Sequence, residues 1–177
     1  MTMTDVAEAS VHASAVLVGT RAVLIRGPSG AGKSRLAFDL ILAGRTGQIP
    51  PAVLVGDDRV HLWTSGGQLM VRPAPLLSGL IEIRGLGIRR CEFAAEAILG
   101  LVVDLAASDA ERLPAPEKLQ IRIHGVQLPR IPVESGISAL PLVAAIFTTT
   151  EGDGQRPISA DCAKGIGNHM RPSIATE

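Results

Sequence analysis

The sequence predicts an α/β fold, a mixed sheet with antiparallel hairpins and few helices, and three features lead there. A run of strand formers, Ala22-Val23-Leu24-Ile25, feeds a glycine-rich loop that opens an amphipathic helical stretch, which makes one βα unit. Several short apolar runs are separated by tight glycine turns, the mark of antiparallel hairpins. The regular strand–helix alternation that builds a fully parallel sheet is missing. At 177 residues the chain fits one domain with a sizeable core.

Taken in order, Val11 to Val18 and Ala22 to Ile25 read as strands joined by Gly19-Thr20-Arg21. Ser34 to Ala43 places Leu36, Ala37, Leu40 and Ile41 on one helical face, and Gly44 is expected to end that helix. Thr46 to Pro51 is a loop. Ala52 to Val55 is a short all-apolar strand, as expected at the buried centre of a sheet, and it stops at Gly56-Asp57-Asp58. Val60 to Trp63 and Leu69 to Arg72 flank Ser65-Gly66-Gly67 as a second hairpin. Ile81-Glu82-Ile83-Arg84 alternates strictly, with the isoleucines on one face and Glu82 and Arg84 on the other, before Gly85-Leu86-Gly87 turns the chain. Ile98 to Leu105 is a core strand, Ala106 to Pro116 a polar loop. The alternating Leu119, Ile121 and Ile123 return through His124-Gly125 into Val126 to Val133. Ile137 to Phe147 is apolar and helical, with Pro141 starting or kinking it. From Thr148 the composition turns to glycine, proline and polar residues, the mark of a weakly ordered tail.

Composition excludes several roles. Hydrophobic residues make up 46% of the chain against 19% charged, which is globular and not disordered. Lysine plus arginine and aspartate plus glutamate both number 17, so there is no basic excess to attract nucleic acid. Phe38, Trp63, Phe93 and Phe147 offer little on which to stack bases. Cys91 and Cys162 stand alone, which argues against a metal cluster and fits a reducing cytosol. The first ten residues lack the basic start of a signal peptide, and no run of about 18 uncharged apolar residues could span a bilayer. The expectation is a cytoplasmic protein with neither a nucleic-acid nor a membrane partner.

Gly27-Pro28-Ser29-Gly30-Ala31-Gly32-Lys33-Ser34 is a complete phosphate loop between strand and helix. Glycines at Gly27, Gly30 and Gly32 let backbone amides converge on phosphate oxygens, and the following helix points its positive end at the same anion. Lys33 adds a mobile cation and Ser34 a hydroxyl for magnesium. A glycine-rich connecting turn would account for the glycines but not for Lys33-Ser34 at their fixed offset. Asp57-Asp58, at the end of a buried strand, is the second signal. One carboxylate can organise the metal while the other accepts a proton from an attacking hydroxyl, and the sequence leaves open which does which. An ordinary aspartate turn is the alternative. Glu82 and Arg84 are either a solvated strand face or, beside Gly79 and Gly85-Leu86-Gly87, a ligand-facing pair in which Glu82 could bind magnesium. His12 sits alone among small apolar residues, where a histidine is more often a structural side chain.

With these residues in hand, the chain resembles the catalytic domain of bacterial HPr kinase/phosphorylase, which phosphorylates a serine of the phosphocarrier protein HPr. Four pieces in order carry the resemblance: Val11-His12-Ala13, Gly27 to Ser34, Leu54-Val55-Gly56-Asp57-Asp58, and Leu80-Ile81-Glu82-Ile83-Arg84-Gly85-Leu86-Gly87-Ile88. The last is that family's signature and is more specific than any phosphate loop. The resemblance divides the chain into an N-terminal extension (1–10), a P-loop domain (11–147) and a tail (148–177). It implies a fold like the nucleotide-binding domain of phosphoenolpyruvate carboxykinase, ATP or pyrophosphate as donor, and magnesium as cofactor. It also implies that Lys33 neutralises phosphate, that Ser34 and Glu82 hold the metal, and that the Asp57/Asp58 pair supplies the base, acting as acid in phosphorolysis. His12 would tune that pair, Arg112 of Glu111-Arg112-Leu113 would touch the transferred phosphoryl group, and the chain would form homo-oligomers, as the family forms hexamers.

Three departures qualify what the resemblance implies. Only some ten residues precede the match, so the chain looks like a short form consisting of the catalytic domain. Glu134 and Ile137 stand where the family carries arginines associated with dephosphorylation, which leaves the reverse reaction open. The tail does not resemble the helices that help grip HPr in the long form. Two rivals remain beside an HPr kinase. A small-molecule kinase of related fold would transfer to small alcohols, and a nucleotide-sensing module would bind ATP without labelling HPr.

Overall fold

Alternating apolar runs and glycine turns assemble eleven strands and two helices in a computed structural model of the chain, which describes residues 8–152. In chain order these are β1 (Ala9–Val11), β2 (Ser14–Val18), β3 (Arg21–Arg26), α1 (Lys33–Arg45), β4 (Ala52–Gly56), β5 (Val60–Ser65) and β6 (Gln68–Pro73). They continue with β7 (Leu80–Ile83), β8 (Gly87–Arg90), β9 (Ala97–Leu105), β10 (Gln120–Ile123), β11 (Val126–Val133) and α2 (Leu140–Thr148). The mixed α/β architecture is the one expected from the sequence. The main sheet runs β1-β5-β6-β9-β3-β2-β4, with β11 pairing β9 and β10 pairing β11. Its β3–β9–β11 centre is parallel, and every other pair in it is antiparallel. β7 and β8 form a separate antiparallel ribbon.

Side-chain alternation gives this sheet two apolar faces. Val16, Val23, Ile25, Leu101 and Val103 pack under α1 with Leu36, Ala37, Leu40 and Ile41, and Val143 of α2 joins them. Ala15, Leu24, Val55, Leu62, Val71 and Val102 form a second core on the other face. The sheet curls around that second core until its ends approach. Gly56, at the tip of β4, lies so close to β6 that a Cβ there would sit 3.0 Å from the Pro73 Cα.

Four expectations are corrected. The run Val11 to Val18 is two strands: β1 pairs with β5, β2 with β3 and β4, and the chain crosses between the sheet's two ends at His12-Ala13. Ala9 and Ser10, assigned to an extension, therefore belong to the sheet. Ala52 to Val55 lies at an end of the strand order, not its centre; α1, the curl and a bridge from Leu54 to Phe93 bury it there. Gly44 does not end α1, which continues to Arg45 and is closed by Thr46 N–H donating to Leu42 O. Gly44 instead allows close packing, since a Cβ would fall 2.6 Å from the Ala52 backbone nitrogen. Pro141 starts α2 without kinking it. The tail expected from Thr148 lies outside the described residues from 153 onward, as do residues 1–7.

Candidate functional site

The phosphate loop is shaped by glycines that no other residue could replace cheaply. Gly27 has φ of 150° with the Leu105 carbonyl oxygen 2.9 Å from where a Cβ would be. Gly32, at φ 96°, is the left-handed residue from which α1 begins. Lys33 is buried, and its Nζ donates to the Gly27 and Pro28 carbonyls at 2.9 and 3.1 Å. The ammonium thus lies folded along its own loop, at the amino end of α1, where backbone dipoles favour an anion.

Consecutive aspartates point in different directions because Asp58 has φ of 65°, a left-handed conformation that aspartate tolerates better than most residues. Asp57 is 3% exposed, and three donors from three elements fix its carboxylate. Its Oδ1 accepts from Ser14 Oγ (2.6 Å) and Ser34 Oγ (2.9 Å), and its Oδ2 from the Glu82 backbone N–H (3.0 Å). Asp58 is exposed, and its Oδ1 lies 3.2 Å from His12 Nε2. His12 reaches it because the crossing between β1 and β2 passes this corner. The sequence left the two aspartates interchangeable; their surroundings separate them.

These groups border an open cleft of about 590 Å³. His12, Asp58, Glu82 and Arg84 line it opposite Ser29, Gly30, Gly32, Lys33 and Ser34, with Arg35 and Phe38 along α1 and Ile83 from β7. Of the residues singled out from the sequence, His12, Ser29, Gly30, Gly32, Lys33, Ser34, Asp58 and Glu82 thus border one cleft, and Asp57 joins them through its bond from Ser34, while Gly27, Pro28 and Ala31 of the loop are not in the lining. Arg112 does not join them: it is exposed in the loop between β9 and β10 and outside the cleft lining.

The available donors near Ser34 are oxygens: its hydroxyl, the Asp57 carboxylate and the Glu82 carboxylate. Among the described residues no cluster of three or more His, Cys, Asp or Glu side chains could hold a metal unaided. The all-oxygen donor set would fit magnesium, which takes one or two carboxylates and completes its shell with water and phosphate oxygens.

A family model described as the HPr serine kinase C-terminal domain matches residues 4–157, most of the chain. The chain belongs to this family. Among curated relatives, HPr kinase/phosphorylase of Mycoplasma mycoides is 31% identical over 149 residues, covering 76% of this chain and 45% of that protein. The Geobacillus thermodenitrificans protein of the same name is 38% identical over 141 residues, covering 72% and 43%. This HPr kinase domain therefore spans less than half the length of those relatives. The solved Hpr(Ser) kinase/phosphatase of Coxiella burnetii superimposes with a TM-score of 0.62 at 26% identity, over 79% of this chain and 93% of that one.

Sequence reasoning missed Ser14, and with it Arg35 and Phe38. Ser14 carried a signal: it is the one hydroxyl in the apolar run Ala13 to Val18, and a polar group buried in a strand needs a partner. Nothing in the sequence said that the partner was Asp57, since β2 and β4 had no assigned pairing.

A second polar cluster lies on the other face of the sheet. Asp104, at the end of β9, accepts from Arg26 at 2.7 and 2.8 Å and from Arg130 at 2.5 Å, and Arg130 also clamps Asp109. Burial, the largest single influence, pushes the Asp104 carboxyl up, but the two arginines together outweigh it and hold the group below its ordinary value. Arg26 is the residue before Gly27, so this network fixes the strand that delivers the phosphate loop.

Proposed function

We propose that this protein is an ATP-dependent kinase that phosphorylates a serine of HPr or an HPr-like carrier with magnesium as cofactor. The observation that carries the reading is the division of labour between neighbouring aspartates, one buried on Ser34 and the other exposed beside His12. Asp58 is the base: it takes the proton from the seryl hydroxyl as the oxygen attacks the terminal phosphorus, and His12 at 3.2 Å orients the carboxylate. Asp57 holds Ser34 in place, and Ser34 with Glu82 would hold magnesium. The bound ion supplies electrostatic stabilisation of the charge on the transferring phosphoryl group. Lys33 exchanges the carbonyls of its own loop for phosphate oxygens and brings its charge with it. Catalysis on this reading is positioning plus electrostatics. In the phosphorolytic direction Asp58 would return the proton as an acid. We further infer a cytoplasmic setting and a homo-oligomer, hexameric on the family's precedent, which light scattering would measure.

The test is transfer of radiolabel from ATP to purified HPr, wild type against a variant with the target serine changed to alanine. Label on the first and not the second supports the reading. ATP binding without label favours a nucleotide sensor, and label on small alcohols instead favours a small-molecule kinase. Running the reaction from phosphorylated HPr with inorganic phosphate tests phosphorolysis.

A further inference from the structure

We propose that one face of the β7–β8 ribbon is the docking surface for the protein substrate, a partner that presents carboxylates and apolar side chains around its target serine. The proposal rests on the carrier-kinase reading above. From Glu82 to Arg90 every residue but Ile83 is exposed, and Leu86 and Ile88 show 64% and 63% of their surface to solvent. Arg84, Arg89 and Arg90 pair with no described residue. A hairpin combining uncovered apolar side chains with unpaired arginines has the composition of a protein interface.

Strand register says which face is used. Glu82 lies opposite Ile88 and Leu80 opposite Arg90, so these four share one face, while Ile81 and Arg89 share the other. Glu82 is also part of the cleft wall. Ile88 and Arg90 therefore extend the wall of the reaction cleft outward, and the turn adds Arg84, which lines the cleft, and Leu86. Continuity with the cleft points to the substrate as occupant, because a protein delivering its hydroxyl to Asp58 enters a cleft whose Glu82 wall this face continues. A second copy of the chain meeting itself here across a two-fold axis would bring Arg84 and Arg90 of each copy together with only Glu82 on the face to offset them.

The experiment is steady-state kinetics with HPr as substrate for the Ile88→Ser/Arg90→Glu double variant, for Arg90→Glu alone, and for Arg89→Glu on the opposite face. The double variant is expected to raise KM for HPr about tenfold or more, and Arg90→Glu about threefold with a shallower dependence on salt. Arg89→Glu, the same charge change on the other face, is expected to move it less than about twofold. Equal effects of Arg89→Glu and Arg90→Glu, or an unchanged KM in the double variant, would overturn the proposal. So would a smaller particle mass in the double variant, which would assign the face to contacts between copies. Absence of transfer to HPr by the wild type removes the kinase reading and the docking face together, whereas transfer indifferent to Ile88 and Arg90 removes the docking face alone.

Discussion

Asp58 and Asp57 differ in burial and partners, so amide substitutions at the two should fail differently. Asp58→Asn keeps the shape of the cleft but cannot take a proton, so Mg-ATP binding should persist while kcat falls by about 10³-fold. Asp57→Asn puts an NH2 donor either where Oδ1 accepted from the two hydroxyls or where Oδ2 accepted from the Glu82 N–H, so affinity and magnesium dependence should both change. Titration of nucleotide binding against magnesium, beside single-turnover transfer, separates the two outcomes; wild-type behaviour in both would remove the roles assigned here. Lys33→Ala should abolish transfer and weaken ATP binding, because this buried ammonium is the cation folded along the phosphate loop itself, at the helix start.

At the scale of elements, Gly44 decides between two opposed expectations. By helix propensity alone, alanine inside α1 would stabilise by about 1 kcal/mol. A Cβ 2.6 Å from the Ala52 nitrogen and 2.8 Å from its Cβ would instead push α1 off β4. Gly44→Ala should therefore cost about 2 kcal/mol, read as a lower denaturation midpoint at unchanged slope. The same residue shows where the sequence was legible. The phosphate loop, the helical face of Leu36, Ala37, Leu40 and Ile41, and the hairpin at Gly66-Gly67 follow local rules, and they stand where those rules put them. Gly44 reads locally as a stop, but a long-range contact with β4 is what requires it. Burial of Ala52 to Val55 likewise suggested a central strand, because an all-apolar run reports that both faces are covered and not what covers them. His12 and Asp58 each lie in a break between strands, where periodicity carries no information about partners. Arg112 was placed by similarity across a loop, and loops hold their lengths and positions least well.

For the whole molecule, the Arg26–Asp104–Arg130 network joins the three parallel strands on which the phosphate loop rests. The Asp104 carboxyl titrates lower in the folded chain than in the unfolded one, where its ordinary value is 3.8. Below that value the unfolded chain binds the proton more readily, so the stabilisation is fully present above about pH 4 and is lost as pH falls through the folded value. Denaturation midpoints should decline on that acid limb. Asp104→Asn should flatten the decline and lower stability at neutral pH by about 3 kcal/mol, since Arg26 is left without a carboxylate and Arg130 keeps only Asp109. The Asp57 carboxylate imposes a different constraint. Its three donors lie 43, 23 and 25 positions away along the chain, in three separate elements. A chain diluted out of denaturant completes that junction only after distant segments have found one another, which is the slow part of reaching a topology rich in non-local pairing. Capacity to hold nucleotide should therefore return late, in step with the final recovery of native fluorescence from Trp63 and not with the first collapse.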